Sequence, residues 1–253
     1  MNLSKAKIKY LNSFSLKKNR DKESVFIAEG VKLVGDLLPY FKLKTIVATQ
    51  DWLLQNRVEA EEIIGIEDLS EMKKISQLTT PSPVFALFYR QNFDFDIDGI
   101  LSGKQLILAL DSVQDPGNMG TIIRIADWFG IKNIVCSTIT VDVYNSKTVQ
   151  STMGALARVA VHYVDLVDFL KQCKKCDYPI YGTFLDGESI YKKELSSHGI
   201  IVMGNEGKGV SAEVASEIGE KLLIPSYPTD VVTSESLNVA VATAIVCSEF
   251  RRR

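Results

Sequence analysis

From Lys104 onward the chain alternates short apolar runs with segments of helical period. That alternation restricts the fold more than any other feature. The apolar runs are 105–110, 133–136, 159–163, 179–184, 200–203 and 221–224. Helical patterns occupy 120–129, 146–156, 166–175, 211–218 and 237–250. Continuous apolar strands joined by helical crossovers predict a mostly parallel sheet with helices on both faces. Ligands of such open sheets bind beyond the carboxyl ends of the strands. Three polar or glycine-rich segments occupy that position: 111–118, 204–209 and 225–236.

The region before it has a different texture. A basic helical stretch at 4–16 leads to Phe26-Ile-Ala-Glu-Gly30 and an amphipathic helix at 31–38. Strands at 45–48, 62–66 and 84–89 then alternate with helices at 51–55 and 68–77, a small α/β unit. A polar, acidic stretch, 90–99, has turn residues and little periodicity and reads as a linker. The expected organisation is a domain at 1–90, a linker at 91–103 and a second domain at 104–253.

The glycine-rich segments match neither common phosphate loop. Leu110-Asp-Ser-Val-Gln-Asp-Pro-Gly-Asn-Met-Gly lacks the Gly-x-Gly-x-x-Gly of dinucleotide folds. Gly204-Asn-Glu-Gly-Lys-Gly has the wrong spacing for a P-loop and Gly209 where a hydroxyl belongs. Gly204 either lets a ligand approach the backbone closely or makes a tight strand-to-helix turn. Asp115-Pro-Gly-Asn118 is a helix-start signal, so Asn118 can be an N-cap. Arg124 lies on the helix that follows, beside a stripe of Ile122, Ile123, Ala126 and Phe129, and by itself reads as a surface charge.

Charge narrows the partners. The net charge of −2 rules out a global polyelectrolyte surface, so any nucleic-acid site must be local. Residues 1–22 supply one: Lys5, Lys7, Lys9, Lys17, Lys18, Arg20 and Lys22 stand against Asp21 alone. The chain also ends on Arg251-Arg-Arg253. These clusters are either solvated faces or a phosphate-contacting surface. No apolar leader or membrane-length run is visible, which points to a cytoplasmic chain with reduced thiols. Cys173-Lys-Lys-Cys176 lacks companion ligands in a metal spacing, since only His162 and His198 exist to supplement it; no metal is expected.

Taken together, three ordered segments resemble the SpoU/TrmH family of RNA ribose 2′-O-methyltransferases, part of the SPOUT superfamily. They are Asp115-Pro-Gly-Asn118-Met-Gly120 with Arg124, Val202-Met-Gly204-Asn-Glu206-Gly207, and Ile224-Pro225 followed by Ser236-Leu-Asn238-Val239. The likeness covers roughly residues 105–253. The N-terminal unit looks more loosely like the RNA-binding domain often fused to that family. The stretch 226–235 departs from the family pattern, being longer and beginning with Ser rather than Met.

The resemblance implies S-adenosyl-L-methionine as methyl donor, a C-terminal trefoil knot, and a homodimer whose sites are completed across the interface. It implies that Gly204, Asn205, Gly207, Ile224 and Leu237 hold the cofactor. It also places Arg124 at the ribose hydroxyl, with Asn118 and Glu206 fixing Arg124 or the ribose, and Ser236 and Asn238 completing the site. Because only RNA presents the 2′-hydroxyl, RNA is the implied acceptor, ribosomal RNA ahead of transfer RNA. Lys5, Lys7, Lys9, Lys17, Lys18 and Arg20 then become phosphate contacts. A non-catalytic RNA-binding or ribosome-assembly protein on the same fold is the rival reading.

Overall fold

The computed structural model describes residues 3–91, 93–228 and 236–252. Two compact units emerge: 1–92 together with 142–157, and 93–141 together with 158–253.

The first unit runs α1 (Lys5–Ser13), α2 (Lys17–Glu23), β1 (Val25–Glu29), α3 (Val31–Leu37), β2 (Leu43–Thr49), α4 (Gln50–Gln55), β3 (Glu62–Ile66), α5 (Leu69–Met72) and β4 (Val84–Tyr89). Its sheet has the order β1-β4-β2-β3, antiparallel except for the β2–β3 pair. Leu11, Phe14, Val25, Ile27, Val47, Phe85 and Leu87 share one core. The helix expected over 4–16 ends at Ser13, where Phe14 turns into that core, and a second helix that the pattern did not mark starts at Lys17. Helix α5 is likewise shorter than its sequence pattern.

The second unit starts with α6 (Ile97–Ser102) inside the expected linker. Asp96 caps this helix through Gly99 N at 3.0 Å, and Ile100 is buried with Phe95 and Ile97 packed nearby. There follow β5 (Leu106–Leu110), α7 (Pro116–Trp128), β6 (Asn133–Ser137), α8 (Ser146–Thr152), β7 (Ala160–Val164), α9 (Leu166–Lys175), β8 (Ile180–Ser189), β9 (Gly199–Met203), α10 (Ala212–Ala215), β10 (Glu220–Leu223) and α11 (Val239–Arg251). The sheet order is β10-β8-β9-β5-β6-β7 and every pairing is parallel. The central strands β5 and β9 are buried at every residue, as strands covered on both faces must be. Leu166, Phe169, Leu170 and Cys173 of α9 cover Ile107, Ala109, Val135 and Val202. Helix α7 packs on β6 and against α11.

Helix α8 does not pack with the unit whose strands flank it in sequence. Its segment belongs to the first unit, where α8 lies on β1 and the Tyr144 ring is 5.1 Å from that of Phe26. Arg20 and Asp142 form an ion pair there at 2.8 Å. Periodicity marks the helix but carries no information about which sheet receives it.

Strands β5 and β9 are neighbours, yet the chain leaves β5 toward β6 and leaves β9 toward β10, on opposite sides. Their carboxyl ends therefore form the topological switch point at which open sheets place ligands.

Candidate active site

The loops after β5 and β9 are tied together by side chains. Buried Asp111 accepts from Ser211 N at 2.7 Å and from Ser112 Oγ at 3.0 Å. Asn205 donates from Nδ2 to Ser112 O at 2.7 Å, while its Oδ1 accepts from Gly207 N and Lys208 N at 3.0 and 3.1 Å. The backbones of Asn205 and Gly209 exchange hydrogen bonds of 2.8 and 2.9 Å, closing the glycine loop on itself. This closure explains Gly204. A Cβ there would meet Gly209 C and Val210 N at 2.3 Å, closer than side chains tolerate. Gly209, at φ +71°, supplies the left-handed turn.

Glu206 joins this loop to the start of α7. Its Oε1 accepts from Asp115 N at 3.1 Å and Asn118 Nδ2 at 3.0 Å, and its Oε2 accepts from Gln114 N at 3.2 Å. Burial alone raises the carboxyl's pKa. The hydrogen bonds from Asn118 and from backbone N–H groups outweigh burial and hold Glu206 below the ordinary glutamate value. It is an ionised acceptor with its oxygens occupied.

Asn118 continues the chain of contacts. Its backbone N–H caps onto Asp115 Oδ1 at 2.8 Å, so the N-cap is Asp115 rather than Asn118. Its Oδ1 accepts from Asn238 Nδ2 at 2.9 Å. Asn238 is itself the N-cap of α11, accepting from Ala240 N and Val241 N at 3.0 and 3.3 Å. Both amide orientations are thereby fixed, since each Oδ1 is required as an acceptor. Segments about 90 and 120 residues apart in sequence meet in one line, Asn238 to Asn118 to Glu206.

Beside that line is a cavity of about 350 Å³. Gly204, Asn205, Glu206, Gly207, Ile224, Ser236 and Leu237 all border it, which gathers every residue expected at the cofactor. A wall that the sequence pattern did not reveal comes from β8, at Thr183, Phe184 and Leu185. The register of β8 against β10 jumps from Gly182 to Glu188, and the five residues between leave the ladder at its carboxyl end. Asp186-Gly187 is the turn signal that could have revealed this. Residues 229–235, the core of the stretch that departs from the family pattern, lie outside the described residues.

Arg124 is not part of the hydrogen-bonded line. Six residues past Asn118 on a helix, it sits about 9 Å along the axis and about 120° around it. Its side chain is exposed and has no hydrogen-bond or ion-pair partner among the described residues. The expected contact of Glu206 or Asn118 with Arg124 is therefore not formed.

The basic N-terminal set divides. Lys5, Lys9, Lys17 and Lys18 are exposed. Lys7 pairs with Glu62. Arg20 is 3% exposed and donates to Phe14 O at 2.9 Å and Ser15 O at 2.7 Å besides pairing with Asp142. It holds the turn between α1 and α2 and is corrected from a phosphate contact to a structural residue. Cys173 is buried, which pushes its thiol up to about 12, and Cys176 is a free thiol at the surface. Among the described residues no cluster of His, Cys, Asp and Glu suits a metal, and no helix is long and apolar enough to cross a membrane.

Comparison with known proteins settles the kinship. Residues 105–248 match the SpoU rRNA Methylase family, more than half the chain. The chain belongs to the SpoU rRNA methylase family. Residues 5–86 match an MRM3-like substrate binding domain. The 23S rRNA (guanosine(2553)-2′-O)-methyltransferase RlmP of Bacillus subtilis is 30% identical over 250 residues, covering 97% of this chain and 96% of that one. A TrmH-family structure from Porphyromonas gingivalis is 42% identical, with a TM-score of 0.88 and both chains fully covered. An rRNA methyltransferase from Sinorhizobium meliloti, solved with AdoMet bound, is 30% identical with a TM-score of 0.85, covering 100% of this chain and 96% of that one.

Proposed function

We propose that this member of the family transfers the methyl group of S-adenosyl-L-methionine to a ribose 2′-hydroxyl of ribosomal RNA. The observation that carries the reading is the Asn238–Asn118–Glu206 line. It brings the three motif segments together at the sheet's switch point, against the cavity. The cavity's size is at the lower end of the range for small-molecule sites, and its mix of apolar walls with a few polar groups suits an adenosine joined to an amino-acid tail. Gly204, Asn205, Gly207, Ile224 and Leu237 would hold that cofactor, which when bound supplies an activated methyl on a sulfonium.

The chain's own residues supply position and charge. Arg124 stays protonated, so it orients the 2′-hydroxyl and stabilises the developing alkoxide rather than removing the proton as a base. With no partner among the described residues, its five donors are available to the ribose or a neighbouring phosphate. Glu206, Asn118 and Asn238 hold the start of α7, and with it Arg124, in register with the cavity. Ser236, exposed at the rim, faces the entering substrate. Holding both reactants in line removes a large entropic part of the barrier.

The first unit serves as the RNA-binding domain, with Lys5, Lys9, Lys17 and Lys18 as its phosphate contacts. The chain acts in the cytoplasm as a homodimer with a knotted C-terminal segment. Dimerisation through α7 and α11 is supported by Trp128, 84% exposed on α7, and by exposed Val241 on α11.

The test is methyl transfer from labelled S-adenosyl-L-methionine to ribosomal RNA lacking the modification, with the acceptor ribose mapped. Arg124→Ala should abolish transfer while calorimetric cofactor binding persists. Turnover by that variant would remove Arg124 from the mechanism, and failure of the wild type to bind the cofactor would remove the reading itself.

A further inference from the structure

We propose that Lys208 binds the carboxylate of the cofactor's amino-acid tail, an inference that rests on the cofactor reading above. Among the described residues that border the cavity, Lys208 is the one cation. Glu206 is the one acid among them, and its oxygens are already taken by N–H donors from 114, 115 and 118. A zwitterionic tail entering this cavity therefore meets a single unmatched charge from those residues, and that charge is positive.

The loop geometry presents it. Asn205 Oδ1 holds the Lys208 backbone N–H at 3.1 Å, and the Asn205–Gly209 pair closes the turn around it. The root of the side chain is fixed while the side chain itself is exposed. The Lys208 ammonium has no hydrogen-bond or ion-pair partner among the described residues. Other lysines of the same unit do: Lys193 pairs with Glu188 and Glu220, Lys221 with Asp186, and Lys174 with Glu217. The neighbouring glycines leave room for the stem to swing over the cavity mouth. A Cβ added at Gly207 would have only Asn205 Oδ1 within 4 Å, and one added at Gly209 would have nothing.

The ammonium is exposed, so the pair it forms is of the solvent-screened kind, and the expected effect is roughly three- to fivefold in affinity. The experiment is calorimetric binding of S-adenosyl-L-methionine and of its decarboxylated analogue to wild type and to Lys208→Met, which keeps most of the aliphatic stem. Wild type should bind the analogue about three- to fivefold more weakly than the cofactor. Lys208→Met should bind both ligands alike, and Lys208→Arg should restore the preference. Equal discrimination by wild type and Lys208→Met overturns the assignment, including the case where the variant weakens only RNA binding and so marks a phosphate contact. A wild-type chain that binds neither ligand overturns the cofactor reading and this inference with it.

Discussion

Replacing Glu206 by Gln separates the two things a glutamate can contribute here, volume and acceptor capacity. In the structure Oε1 receives Asp115 N and Asn118 Nδ2, and Oε2 receives Gln114 N. A glutamine keeps the volume but has one acceptor oxygen and one donor group. If its oxygen replaces Oε1, its NH₂ faces the Gln114 N–H, donor against donor. The opposite flip sets the NH₂ against both Asp115 N and Asn118 Nδ2. At best, then, one charge-assisted bond is lost and two become neutral. Charge-assisted bonds contribute about 1.5–3 kcal/mol and neutral ones about 1 kcal/mol, so the substitution costs at least about 2.5 kcal/mol. For a unit of this size each kcal/mol moves the melting temperature by roughly 2–4 °C, which gives a fall of at least about 5 °C. Differential scanning calorimetry reads it, with Glu206→Ala as the comparison. Because the acceptors matter and not the volume, Gln should be about as damaging as Ala. A Gln variant that melts within about 2 °C of wild type while Ala is strongly destabilised would refute the reasoning, since it would mean that packing and not hydrogen bonding holds the loops.

Other outcomes follow from the same geometry. Gly204→Ala places a Cβ 2.3 Å from backbone at 209 and 210, so the glycine loop must open; cofactor affinity by calorimetry should fall at least about tenfold. Arg20→Met leaves Asp142 unpaired in a largely buried setting and two carbonyls without donors, and should destabilise the first unit by about 3 kcal/mol in urea unfolding. Lys17→Ala with Lys18→Ala should leave that stability unchanged, weaken RNA binding, and reduce its salt slope by about 2. The pH dependence of Glu206 has a definite sign. Its folded pKa is depressed, so its contribution is full above the unfolded value near 4.5 and is lost as pH falls through the lower folded value. The stability gap between wild type and Glu206→Gln should therefore narrow only below about pH 4.5.

Much of the second unit's architecture was readable from its apolar runs. Strands 133–136 and 200–203 and helix 166–175 lie within a residue or so of their observed positions, because buried parallel strands and an amphipathic surface helix leave strong local patterns. What failed was set by contacts distant in sequence. Helix 146–152 has the same local pattern wherever it packs, and contacts distant in sequence, of α8 on β1, Tyr144 on Phe26 and Asp142 on Arg20, assign it to the first unit. The excursion of β8 at 183–187 was masked because Thr183, Phe184 and Leu185 have strand-like composition, and only Asp186-Gly187 hints locally that the ladder with β10 skips them. Arg20 misled for the same reason. In a run of lysines it looks like another surface cation, and its burial depends on carbonyls at 14 and 15 and on an acid 122 residues away.

At the site, which residues matter was more legible than what each one does. The motif segments named Asn118, Glu206, Asn238 and Gly204, which the fold gathers with Gly204 and Glu206 on the cavity and the two asparagines beside it; the family likeness gave Glu206 and Asn118 the task of fixing Arg124 or the ribose and Asn238 that of completing the site. Each is already engaged within the protein: Asn118 by Asn238 and Glu206, Asn238 by the α11 N-terminus and Asn118, and Glu206 by N–H donors from the loop after β5 and from Asn118, while each asparagine Nδ2 keeps a second N–H. A group whose donors and acceptors are satisfied within the protein must break a bond before it can serve a ligand, and at a partly buried site that exchange gains little. Gly204 is required by the loop's own backbone whether or not a molecule is bound. Unpaired capacity is therefore the better guide to chemistry here. By that criterion the proposed reacting end of the site is Arg124 and the proposed binding end is Lys208, both exposed with charged ends that have no partner among the described residues, and the hydrogen-bonded residues between them would fix the helix and the loop that carry the two.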